Sequence, residues 1–120
     1  MASPNKAIRE VLNELRSLGE ISNAAVVSRS GMLIDGDAPD SIHMETFGAM
    51  MAIMLGAAET ATSEATDNLM HIDLELTESH LIIMGAGQRI LLAVFITDKS
   101  ALLRMLPFVT EAATRLKAIV

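Results

Sequence analysis

Residues 44–66 read METFGAMMAIMLGAAETATSEAT, and the thirteen residues from Thr46 to Ala58 carry no charge. The spacing predicts one helix over this stretch. Phe47, Met51, Met54, Leu55, Ala58 and Ala61 fall on one line at i, i+4, i+7 intervals, and Met50, Ile53 and Ala57 form a second beside it. Gly48, Ala52 and Gly56 recur every four residues as a strip of small side chains. A surface helix of a small domain shows one apolar stripe, whereas a helix apolar on several faces must be covered on several faces. A chain of 120 residues has little material for that. Its own fold is expected to cover one side, and a second copy or another protein the other. The small strip has two open readings: it seats the helix on a sheet, or it lets two helices approach closely.

Working toward the N-terminus, Gly36 to Asp40 is a loop dense in breakers, and Ser41 is the favoured cap of the central helix, with His43 the alternative. Before the loop, residues 21–28 read as a strand, Arg29-Ser30-Gly31 as a tight turn and 32–35 as the returning strand. A first helix over 4–18 starts with Ser3 as cap and Pro4 in the first turn, carries Ile8, Val11, Leu12, Leu15 and Leu18 on one face, and stops at Gly19.

Toward the C-terminus, Met70, Ile72, Leu74 and Leu76 alternate with His71, Asp73, Glu75 and Thr77, a strict period of two. A short apolar strand over 81–84 follows, then a Gly85-Ala86-Gly87 turn. Residues 90–96 are apolar without interruption and should lie centrally in a sheet, covered on both faces. Asp98 or Ser100 caps a last helix, with Leu102, Leu106, Val109, Ala113, Leu116 and Val120 along one stripe. Pro107 is expected to kink or divide that helix near Met105. The order is helix, two strands, helix, three strands, helix.

Half the residues are hydrophobic, but the only aromatics are three Phe, so Met, Leu, Ile, Val and Ala do the packing. Nine Met suit an adaptable contact surface or a gap-filled core. Cysteine is absent, which excludes a disulfide framework, a thiol nucleophile and a cysteine metal site, and fits a reducing cytoplasm. The N-terminus lacks a secretory layout and the uncharged run is shorter than a membrane span. The net charge of −6 with scattered Lys and Arg argues against nucleic acid as a partner.

The hairpin AAVVSRSGMLID (residues 24–35), the Ala/Met-rich helix after it and the alternating strand after that resemble the Roadblock/dynein light chain family over nearly the whole chain. The resemblance implies an α/β (α+β) fold. Residues 1–120 would form a single Roadblock-like domain, with a five-stranded antiparallel sheet, the middle helix on one face and the terminal helices on the other. It also implies that two copies pair through the helix at 44–66 and the strand at 69–77 into a ten-stranded sheet. Families of this kind act as scaffolds and regulators of small Ras-like GTPases, or as light chains of larger complexes. Those that act on GTPases are thought to reposition the GTPase's own residues.

Chemistry is sparse by comparison. His71, Asp73 and Glu75 share one strand face, where a metal is conceivable and a solvated polar face is the simpler reading. His43 and Glu45 read as helix-start surface residues. Gly85-Ala86-Gly87 precedes a strand and no helix, so it fails the test for a phosphate loop. Ser28 and Ser30 have no His/Asp pair to activate them. Arg29, Arg89 and Arg104 are candidates for an arginine inserted into a GTPase site, against a plain solvated role for each.

The expectation is therefore a non-catalytic, cytoplasmic homodimer, or a dimer with a paralogous Roadblock domain, that regulates or scaffolds a Ras-like small GTPase without a cofactor or metal. The dimer-interface residues are Phe47, Met50, Met51, Met54, Ala58, Met70, His71, Ile72 and Leu74. Their division between twin and sheet is not fixed by period. The rivals are a small-molecule-sensing domain, which requires a cavity with convergent polar groups, a light-chain subunit of a larger complex, and an enzyme.

Overall fold

The computed structural model describes residues 4–120, so the Ser3 cap lies outside the described residues. The elements follow the expected order: α1 (Pro4–Arg16), β1 (Ile21–Ser28), β2 (Leu33–Gly36), α2 (Met44–Ala61), β3 (Ile72–Glu75), β4 (His80–Ala86), β5 (Ile90–Ile96) and α3 (Leu102–Ile119). The strands form one antiparallel sheet ordered β2-β1-β5-β4-β3. β5 is its centre, and all seven of its residues are buried, as the unbroken apolar run requires.

Side-chain alternation divides the core into two layers. On one face α1 and α3 lay Leu12, Leu15, Met105, Val109 and Leu116 against Val26, Ile82, Leu92 and Val94. On the other face α2 alone lays Phe47, Met51 and Leu55 against Ala25, Val27, Ile83, Leu91, Ala93 and Phe95. The Phe47 and Phe95 rings stack at a centroid distance of 5.9 Å. The middle helix and the terminal helices therefore lie on opposite faces. With only one helix on its face, α2 has the sheet beneath it and no helical neighbour beside it.

Several boundaries differ from the sequence reading. α2 ends at Ala61, short of Thr66. The Thr62 hydroxyl donates to Ala58 O at 2.8 Å and the Ser63 hydroxyl to Thr60 O at 2.9 Å, and such back-bonding competes with helix propagation. Its N-cap position is His43 with no side-chain cap bond, not Ser41. Ser41 falls in a turn closed by Ile42 N–H to Pro39 O, which tucks Ile42 against the α2 layer. β3 has ladder partners only from Ile72 to Glu75, not over 69–77. Alternation reports an extended chain whether or not a neighbouring strand is present.

Pro107 does not divide the last helix. α3 runs through it, and both Pro107 and Leu103, whose carbonyl loses its amide partner, lie on the exposed flank where water can substitute. Asp98 is the cap, accepting from Ser100 N–H at 3.0 Å ahead of a short 3-10 turn, Lys99–Ala101.

Candidate functional site

At 100° per residue, the buried Phe47, Met51 and Leu55 define the inward direction of α2. Met50, Met54 and Ala57 then lie on one flank, with Ile53 between that flank and the crest. Met54 packs in the same layer as Leu69, Ile72 and Leu74, on the sheet face that β3 shares with α2. It is apolar and open: Met50 is 45% exposed and Ile53 60%. The opposite flank carries the small strip. A Cβ on Gly48 would lie 2.7 Å from Gly31 O, so Gly48 seats the helix against the β1–β2 turn. A Cβ on Gly56 would meet nothing within 4 Å. The seating reading of the strip therefore holds at Gly48 and not at Gly56.

β3 is an edge strand beside this flank. Leu76 N–H donates to Ser79 O at 2.8 Å, which fixes the alternation of the ladder. Ile72 and Leu74 direct their backbone groups to β4, and those of Asp73 and Glu75 face outward, without a strand to receive them. The β3–β4 register is regular over its whole length. Ile72 and Leu74 are half-buried under α2, while Met70 before the strand is 68% exposed and Leu76 after it 44%. A free ladder and an apolar helix flank therefore adjoin, a combination suited to another strand and helix.

The far face of β3 is polar. Asp73 Oδ1 lies 2.8 Å from Nδ1 of the buried His80, and Glu75 Oε2 lies 2.6 Å from Lys99 Nζ. The hydrogen bond from Lys99, then its charge, holds the Glu75 carboxyl below the ordinary carboxylate range. His71 is half-buried at the start of the same face. Among the described residues no cluster of three His, Asp, Glu or Cys could hold a metal.

The expected interface residues are thus placed unequally. Phe47 and Met51 face their own sheet and are buried, so they are not part of the open surface. Met50 and Met70 are exposed, and Met54, Ala58, His71, Ile72 and Leu74 are half-buried. Ile53, Ala57 and Leu76 are exposed as well and were not among the expected residues, although Ile53 and Ala57 share the line of Met50 and Leu76 closes the alternation.

Arg29 takes neither of its expected roles as a free side chain. Its guanidinium donates to Ile90 O at 3.1 Å, Gly87 O at 2.7 Å and Glu59 Oε1 at 2.7 Å, joining the β4–β5 turn to the end of α2. A Cβ on Gly85 would come within 2.8 Å of it. Arg104 pairs with Glu20 at 3.1 Å, and Arg89 is exposed with no ion pair among the described residues. Ser28 and Ser30 hydrogen-bond each other at 2.8 Å within the turn.

A family model for the Roadblock/LC7 domain matches residues 7–95. An uncharacterised protein of Methanocaldococcus jannaschii, MJ0310, is 32% identical over 114 residues, covering 93% of this chain and 98% of the relative. The structure of Myxococcus xanthus MglB superimposes with a TM-score of 0.87 at 17% identity, covering 99% of this chain and 91% of that one. An MglB solved in a tetrameric arrangement gives 0.84 at 20% identity, with coverages of 99% and 91%.

Proposed function

Because this chain belongs to the Roadblock/LC7 domain family, we propose that it works as a homodimeric, non-catalytic regulator or scaffold of a Ras-like small GTPase in the cytoplasm. The observation that carries the dimer is the meeting of an open apolar α2 flank with a regular, unpaired β3 edge on one side of the molecule. Pairing β3 with its twin gives the outward backbone groups partners, and the two α2 flanks then cover Met50, Ile53 and Ala57. A stable interface of this type buries on the order of 1,600 Å². The tetrameric arrangement described for an MglB supports self-association in a relative of the same fold.

The GTPase role rests on the family, and the structure supports a particular form of it. Arg29 has three hydrogen-bond partners within its own chain, so it is poorly suited to entering another protein's site. A regulator built this way offers a rigid double-helix platform on which a GTPase is held or reshaped. Sedimentation equilibrium tests the dimer. Nucleotide hydrolysis and exchange by Ras-like GTPases from the same source, with and without this protein, test the role. Binding to none of them, with no change in either rate, would refute it. Arg29→Ala should leave any stimulation intact, and a hundredfold loss would overturn the assignment of that residue.

A further inference from the structure

We propose that His71 and Glu75 are the specificity-determining residues of self-association, each meeting the other's counterpart on the second copy, with Asp73 on the two-fold axis. The inference rests on the dimer proposed above and adds its register and polar selectivity.

In an antiparallel pair, directly opposite residues share a sheet face, so a two-fold pairing of β3 must place one residue on the axis. Three choices keep Ile72 and Leu74 in the ladder. An axis at Leu74 sets Asp73 opposite Glu75 twice, and like charges directly opposite are destabilising. An axis at Ile72 sets His71 opposite Asp73 and leaves the exposed Leu76 uncovered. An axis at Asp73 sets Ile72 opposite Leu74 and Met70 opposite Leu76, which covers both exposed apolar ends of the edge. On the polar face it sets His71 opposite Glu75 twice. Lys99 engages Oε2 of Glu75 and leaves Oε1 for the second copy's imidazole. One Asp73–Asp73 encounter remains, moderated because each carboxylate is drawn toward its own His80.

Two experiments test this. In the first, His71→Glu and Glu75→His are made as separate chains. Alone, each presents like groups to itself and should dimerise at least tenfold more weakly than the parent. Mixed, they place Glu opposite Glu75 of neither pair and imidazole opposite carboxylate in both, so the heterodimer should return to within severalfold of parental affinity. Single variants that dimerise normally, or a mixture no tighter than its parts, would overturn the assignment. In the second, the absence of native cysteine allows single thiols to report distance. Asp73→Cys should cross-link to itself on oxidation, and a mixture of His71→Cys with Glu75→Cys should cross-link as a heterodimer, since opposed Cα atoms fall within disulfide reach. Preferential self-linking of Ile72→Cys or Leu74→Cys would refute the register while leaving the dimer standing. A parent chain that sediments as a monomer would refute both.

Discussion

At one end of the sheet β2 is finished against further pairing, and at the other β3 is left ready for it. β2 is offset by a register shift between Val26 and Val27, and it ends at Gly36 with φ +114°. There the Asp35 carboxylate accepts the Gly36 N–H at 2.8 Å and is itself held by Arg9 at 3.1 Å. A bulge, a side chain occupying an edge amide and a charged pair are all devices that discourage edge-to-edge association. β3 carries the Glu75–Lys99 pair but has neither the bulge nor the occupied amide: its register is unbroken and apolar side chains flank both ends. Two edges of similar length in one sheet thus differ in what surrounds their backbone groups.

The largest expected effect separates the two ends directly. Ile53→Glu should weaken self-association by at least roughly thirtyfold, a loss of about 2 kcal/mol typical of a buried interface anchor, while Leu33→Glu on the β2 edge leaves it unchanged. Sedimentation equilibrium measures both, and equal losses would erase the distinction. Next in size, Gly36→Ala attacks the finished edge. The new Cβ would sit 2.3 Å from Ala24 O at a positive φ, so stability should fall by about 1–3 kcal/mol, read by denaturant titration.

Within α2 the contrast is smaller and changes sign. Gly48→Ala should destabilise by about 1 kcal/mol, because Gly31 O is backbone and cannot easily give way. Gly56→Ala should stabilise the monomer by about 0.5–1 kcal/mol through helix propensity. If Gly56→Leu also abolishes the dimer, the strip reaches the twin after all.

The smallest effect is electrostatic. Arg115 beside Glu14, and Lys99 beside Glu75, hold these exposed carboxyls below the ordinary value of 4.5. A carboxylate with a depressed folded pKa adds stability above its unfolded pKa, and that contribution is lost as pH falls through the folded value. Thermal melts should therefore lose a little stability below about pH 4.5, less so in high salt. The Lys99→Ala variant should remove the Glu75 share and leave that of Glu14.

Much of this was legible from residue order. The unbroken apolar run at 90–96 required a central strand, and the family resemblance implied helices on both faces of the sheet. Of the expected interface residues, Met50 and Met70 lie exposed, whereas Phe47 and Met51, which period alone could not separate from them, face their own sheet. On an all-apolar helix, hydrophobicity no longer marks the inward direction. His80 also escaped notice, since only the β3–β4 register brings its imidazole to Asp73.

Composition and periodicity determined by themselves the order of elements and the surplus of apolar surface in residues 44–66, because burial is written locally as a repeat of 2 or 3.6 residues. Which flank of α2 stays open, which sheet edge stays unpaired and where the Arg29 guanidinium goes were decided only by the tertiary structure. Each depends on groups far apart in the chain: Gly31 against Gly48, Asp35 against Arg9, and Arg29 against Glu59, Gly87 and Ile90. A sequence repeat records that a side chain must be covered, and only the folded chain settles what covers it.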